Sequence, residues 1–247
     1  MQRAITFSCS LLLVLSLITC VARADSYSGT WSITPSSKAG QVQLELRYRH
    51  ADAHGDEEWE DSHTVPAPQV RNNAFTIATD AGDFHAQGTF SGGNGGGTWT
   101  FVPNANFARE LQRRGVNAPS GQDQFELAIS GFKLSTLDAL NAAGFAHPSA
   151  HDLVRLANHG VTGDYVAAMK GLNFNPKTVD SLIRLRDHGV SVDYMRGLQQ
   201  LGYNPSAEEL VRLADHGVTV DFVKRMRSHG YTRLSADDLI RLRDHGF

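Results

Sequence analysis

The sequence predicts an α+β protein: a small antiparallel β domain of about six strands, followed by an all-α, solenoid-like array of two-helix repeats. Three observations carry that reading. Apolar and polar residues alternate over residues 25–103, the apolar period lengthens to that of helices from residue 104 onward, and the second part repeats itself every 28 or 29 residues. At 247 residues and 41% hydrophobic content the chain is long enough for one or two folded domains, and too apolar for a disordered tail.

Residues 1–24 read as a secretory signal peptide. Arg3 supplies the positive start, Ala4 to Val21 the apolar stretch, and Ala22-Arg23-Ala24 an A-x-A cleavage site. The expected mature chain starts at Asp25 and is periplasmic or secreted, with no stable membrane span after cleavage. Leu17-Ile18-Thr19-Cys20 leaves a lipidated N-terminus as an alternative. Both cysteines, Cys9 and Cys20, fall in this leader, so the mature chain has no disulfide, cysteine nucleophile or thiolate ligand and is held by packing alone. Losing Arg3 and Arg23 takes the basic residues from 23 to 21 against 26 acidic ones, a change in formal charge from −3 to −5. Such a chain has no strong basic excess to attract nucleic acid.

Within the β region, Gly29-Thr30-Trp31-Ser32-Ile33 opens a strand. Val42, Leu44, Leu46 and Tyr48 alternate with Gln43, Glu45, Arg47 and Arg49 as a half-buried strand, and further strands begin at Phe75 and run over 84–90 and 98–102. Asp80-Ala81-Gly82-Asp83 and Gly92–Gly97 read as turns, which suggests a meander forming a partly open barrel or sandwich. The glycine run is not a phosphate cradle, because no Gly-Lys-Ser/Thr follows it.

The repeat is seen by aligning Leu153-Val154-Arg155-Leu156-Ala157-Asn158-His159-Gly160-Val161 with the segments starting at Leu182, Leu210 and Leu239. Five units follow, 104–132, 133–161, 162–190, 191–218 and 219–247, each of two short helices. Nine of the ten expected helices stop at a glycine and the tenth at Asn173, the residues that tolerate the left-handed conformation closing a helix. Ser149–Asp152, Ser206–Glu209 and Ser235–Asp238 have capping-box spacing, and Thr162, Ser191 and Thr219 can cap the other helix type. Helices this short are not stable alone and must stack on one another.

The segments 80–90 and 95–104, together with the Leu-x-Arg-Leu-x-x-His-Gly-Val units, resemble uncharacterised exported bacterial proteins that carry a small β domain before such repeats. The repeat tail is also similar to those attached to some membrane metallopeptidases of the antibiotic-sensing receptor type. The resemblance implies an extracytoplasmic accessory or sensing context. No H-E-x-x-H occurs in this chain, so no zinc hydrolase role carries over.

Four groups of residues are site candidates. Leu239, Ile240, Leu242 and Phe247 keep the last unit apolar with no polar helix after it, which predicts a covered end: a protein partner, or self-association through the C-terminal repeat. The column Arg155, Arg184, Arg212 and Arg241 reads as a grip on an anionic partner or as a solvated face of Arg–acid pairs. His159, His188, His216 and His245 precede the terminal glycines and read as helix-end caps. Equivalent helices stand ~10 Å apart whereas metal–nitrogen bonds are ~2 Å, so neighbouring units cannot readily share an ion. His50, Asp52, His54 and Asp56, at the head of a polar loop running to His63, are the metal candidates. The combined reading is an exported protein–protein interaction scaffold or accessory protein of the cell envelope, without catalysis or cofactor. The alternative is an envelope ligand- or metal-sensing protein that uses the β domain, with the repeats as transmitter.

Overall fold

The computed structural model describes residues 27–52, 55–145 and 148–246, the side chains of residues 50–57 excepted; the signal-peptide reading, His54 and Phe247 lie outside the described residues. Six strands, β1 (Ser28–Pro35), β2 (Gln41–Asp52), β3 (Gly55–Pro66), β4 (Ala74–Ala78), β5 (Gly82–Ser91) and β6 (Asn94–Pro103), form one antiparallel sheet in the order β3-β2-β1-β6-β5-β4. The chain is thus two three-stranded meanders joined through β1 and β6, not one continuous meander. This order places the long polar strand β3 at one edge and the short apolar strand β4 at the other.

One face of the sheet is the core. Trp31 and Ile33 of β1, Leu44 and Leu46 of β2, Phe84 and Ala86 of β5, and Trp99 and Phe101 of β6 are all buried there. The indole N–H of Trp31 donates to the Gln87 carbonyl, 3.1 Å away on β5, so its ring lies across β6. A Cβ at Gly88 or Gly95 would lie 2.7 or 2.9 Å from that ring. Trp99 donates to the Thr30 carbonyl at 3.1 Å, and a Cβ at Gly29 would lie 2.9 Å from its ring. Each buried indole therefore satisfies its N–H and rests on glycine backbone. Only Gly92 and Gly93 of the glycine run form the expected turn, with φ of +58° and +83°; Gly95–Gly97 belong to β6, where Gly95 makes room for the Trp31 ring and Gly97 for the backbone of β5.

The segment read as a polar loop over residues 50–63 is instead a long hairpin, in which β2 and β3 pair from Gln41↔Pro66 to Asp52↔Gly55. Of the metal candidates, His54 and the side chains of His50, Asp52 and Asp56 lie outside the described residues.

Ten helices follow: α1 (Phe107–Arg113), α2 (Gly121–Ile129), α3 (Leu134–Ala142), α4 (Ala150–Asn158), α5 (Gly163–Gly171), α6 (Val179–Asp187), α7 (Val192–Gln200), α8 (Ala207–Asp215), α9 (Val220–Ser228) and α10 (Ala236–Asp244). Every expected stop has positive φ, from +64° to +90° at the nine glycines and +56° at Asn173. The closures are Schellman motifs: Val161 N–H reaches the Leu156 carbonyl and Gly160 N–H the Ala157 carbonyl, both at 2.9 Å. The caps expected at Ser149, Thr162, Ser191, Ser206, Thr219 and Ser235 are all made, and Ser120 and Thr178 cap α2 and α6 besides. Even-numbered helices from α2 to α10 stack in one column and odd-numbered ones from α3 to α9 in another. Leu153, Leu156, Leu182, Leu185, Leu210 and Leu213 fill the space between them.

Sheet and array share one core. Phe125 of α2 sits on the aromatic face of the sheet, 4.2 Å from the Tyr27 ring (stacked), 5.0 Å from Tyr48 and 5.5 Å from Phe101. Gln124 Nε2 donates to the Ala81 carbonyl at 2.7 Å, and Leu134 N–H to Asp80 Oδ2 at 2.7 Å. No helix among the described residues is long and apolar enough to cross a membrane.

Candidate functional site

The repeated charged residues of the array engage one another. His159 Nδ1 meets Asp187 Oδ1 at 2.6 Å, His188 meets Asp215 at 2.6 Å and His216 meets Asp244 at 3.0 Å, so these three histidines, which end α4, α6 and α8, reach the last residue of the next helix in their column. Where the upstream unit has Ser130 in place of histidine, the residue below it is Asn158 in place of aspartate; both members of that rung are neutral. A second rung joins Arg155 to Asp180 at 2.6 Å, Arg184 to Glu208 at 2.7 Å, and Arg212 to Asp237. A third lets Arg186 and Arg243 donate to the carbonyls of Gly160 and Gly217, at 3.1 and 3.0 Å. Arg155, Arg184 and Arg212 thus form Arg–acid pairs on a solvated face. Arg241, at the end, pairs with Asp238 of its own helix at 2.7 Å.

The end of the array is also not the open apolar face expected from sequence. Leu239 and Ile240 are 0% and 6% exposed because the amphipathic α10 turns them inward onto α8, and Leu242 is half-buried. The outward positions of α10 are Asp237, Arg241, Arg243 and Asp244, so its exposed side is charged.

The side chains gathered with functional chemistry lie at the junction of the two regions. Along β3 the inner face carries Trp59, Asp61 and His63, opposite Tyr48, Leu46 and Leu44 of β2. Trp59, Asp61, His63 and Tyr48, with Gln122, Phe125, Glu126 and Ile129 of α2, and Ser130, Ala157 and Asn158, line a groove of about 500 Å3. Trp59 is 50% exposed, whereas Trp31 and Trp99 are buried. Burial, followed by the negative charges of Asp61 and Glu126, pushes the Tyr48 phenol up to about 12. His63 Nε2 lies 3.0 Å from Asp61 Oδ1, and that hydrogen bond raises the His63 pKa above its ordinary value against the opposing effect of burial. The groove is thus aromatic and electronegative. The Glu126 carboxylate accepts from Gln122 at 2.9 Å, while Glu60, whose side chain lies on the outer face of β3, pairs with Arg47 at 3.3 Å. The Ser130 hydroxyl donates to the Leu127 carbonyl at 3.3 Å.

A larger cleft, about 800 Å3, separates the α5–α6 and α7–α8 connections. Its walls are mostly amide and apolar, from Asn173, Asn175, Pro176, Gln199, Asn204 and Pro205, and its Glu208 is paired with Arg184. The junction groove, by contrast, concentrates ring faces and ionisable groups where two structural regions meet, a common setting for binding sites. Sequence reading missed it because β3 read as a loop; the signal available was the alternation Trp59-x-Asp61-x-His63-x-Val65.

No protein-family model, no curated protein and no solved structure matches this chain.

Proposed function

We propose that this is an exported, non-catalytic binding protein of the cell envelope, in which the helical array is the scaffold and the junction groove is the place where a partner protein docks. Export rests on the leader at residues 1–24. The observation that carries the docking role is Trp59, half exposed beside Tyr48 and Phe125 in a groove that also holds the Asp61 and Glu126 carboxylates. Half-exposed aromatics in a concave site are the usual anchors of protein recognition. The array supports the scaffold role, since its arginines and histidines hold successive helices together.

Crosslinking pull-down from native envelope extract tests this. A stoichiometric partner is expected with the native protein, lost in Trp59→Ala and retained in Arg184→Ala. A partner retained by Trp59→Ala would move the site elsewhere. A catalytic reading would use the His63–Asp61 pair with Ser130, which line the same groove; covalent labelling by a fluorophosphonate probe, lost in Ser130→Ala, would replace binding by acyl transfer.

A further inference from the structure

β3 is the outermost strand of the sheet next to the groove. It pairs with β2 on one side and has no strand partner on the other among the described residues. At 12 residues it is long for an edge, where natural sheets tend to keep strands short or covered. Its sequence contains Asp56, Glu57, Glu58, Glu60 and Asp61 and no lysine or arginine. Such an edge repels itself: antiparallel pairing with β3 of a second copy would set carboxylates against carboxylates. The same charge favours a basic strand. Side chains of an added strand would point alternately to the two faces of the sheet. Those on the inner face would enter the groove beside Trp59 and Asp61, with Glu126 across it, and those on the outer face would run alongside Glu58 and Glu60, where Arg47 already pairs with Glu60 and Arg49 stands opposite Glu58, so the inner face carries the recognition. An electron-rich indole, half exposed and flanked by carboxylates, suits a lysine or arginine head group.

We propose that β3 and the groove beside it accept an extended basic segment of a partner protein, which joins the sheet as an added strand and lays a lysine or arginine over the Trp59 ring. The inference rests on the reading of the groove as the docking site and specifies the chemistry of what docks. Main-chain bonding along β3 supplies affinity, and the alternate side chains supply selectivity.

The test titrates the purified protein with a fluorescein-labelled peptide of alternating lysine and threonine, about ten residues long to match the edge, read by anisotropy at low ionic strength. Saturable binding is expected, weakened by added salt. Trp59→Ala should weaken it about fivefold, with Trp59→Phe recovering most of the loss, and Asp61→Asn about threefold. A peptide with glutamate in place of lysine should not bind. Neither should one N-methylated at alternate backbone amides, which keeps the charge and cannot form the ladder. Equal binding of the N-methylated peptide, or no effect of Trp59→Ala with its melting unchanged, overturns the inference. So does a dimer by sedimentation that Trp59→Ala abolishes, since a second copy then occupies the edge. If the lysine peptide fails while Trp59→Ala still loses the native partner, the basic-strand inference falls and the docking groove stands.

Discussion

The sheet and the helical array bury similar apolar side chains and are stabilised in opposite ways. In the sheet, a few large groups depend on distant backbone: Trp31 of β1 needs Gly88 and Gly95 beneath it and the Gln87 carbonyl beyond them. In the array, many small local devices recur, a Ser or Thr at each typical start, a left-handed glycine or asparagine at each stop and a polar rung to the next helix. The difference teaches where a lesion spreads. Damage in the sheet should propagate across strands, while damage in the array should stay with one unit and its neighbours.

The sharpest way to break that comparison is at the seam. Phe125 touches rings from β2, β5 and β6, so Phe125→Ala should cost about 3–5 kcal/mol, as large core truncations do. It should also uncouple the regions. Urea unfolding followed by tryptophan fluorescence and by helical circular dichroism, coincident in the native protein, should separate in the variant. Coincident curves in Phe125→Ala would mean that the seam is held elsewhere.

One substitution made twice distinguishes the two modes of stabilisation. Gly95→Ala inserts a methyl 2.9 Å from the Trp31 ring and should cost about 1–3 kcal/mol while shifting the fluorescence of that buried indole. Gly189→Ala meets nothing within 4 Å but is held at φ +69°, so it should cost about 1 kcal/mol with the tryptophan spectrum unchanged. A smaller effect still is expected at a single start signal. Ser206 accepts from the Glu209 N–H and closes a capping box, and Ser206→Ala should cost about 1 kcal/mol or less. The loss should appear in hydrogen exchange of α8 and its stacked neighbours and not in the sheet.

The smallest effect is pH dependent. The folded His63 pKa lies above its ordinary value because of Asp61, so this pair's contribution is fully present below the unfolded value and is lost as pH rises through the folded one. The stability advantage of the native protein over Asp61→Asn, measured by urea midpoint, should therefore be larger at about pH 5 than at about pH 8. An advantage that grows with pH would place the stabilising proton elsewhere.

These contrasts also explain what could be read in advance. Helix stops and starts depend on residues within a few positions of each other, so Gly160, Asn173, Ser149 and Thr219 announced the array one unit at a time. The alternation of Leu44, Leu46 and Tyr48 gave β2 as directly. β3 was hidden because its inner face carries Asp61 and His63, which break the apolar alternation that identifies a strand. Gly95 looked like turn material because the indole requiring it belongs to β1. The groove itself exists only once α2 has docked, bringing Phe125 and Glu126 from a remote part of the chain against Trp59. Leu239 and Ile240 had the right composition for an open end, but a helix of nine residues has room to turn both inward and still present a charged outer side.

The His–Asp and Arg–acid rungs make the array a modular object in an evolutionary sense. Excising residues 162–190 would bring His159 opposite Asp215 and Arg155 opposite Glu208, partners of the same chemistry as those they lose. Duplicating that unit would likewise present each new rung with a matching one. The step from Ser130 to Asn158, next to the sheet, is neutral and lacks this interchangeable chemistry. Loss of residues 162–190 would therefore keep the His–Asp and Arg–acid chemistry of these rungs, while the Arg186 bond to the Gly160 carbonyl would go, because Ala214 stands at the equivalent place in α8.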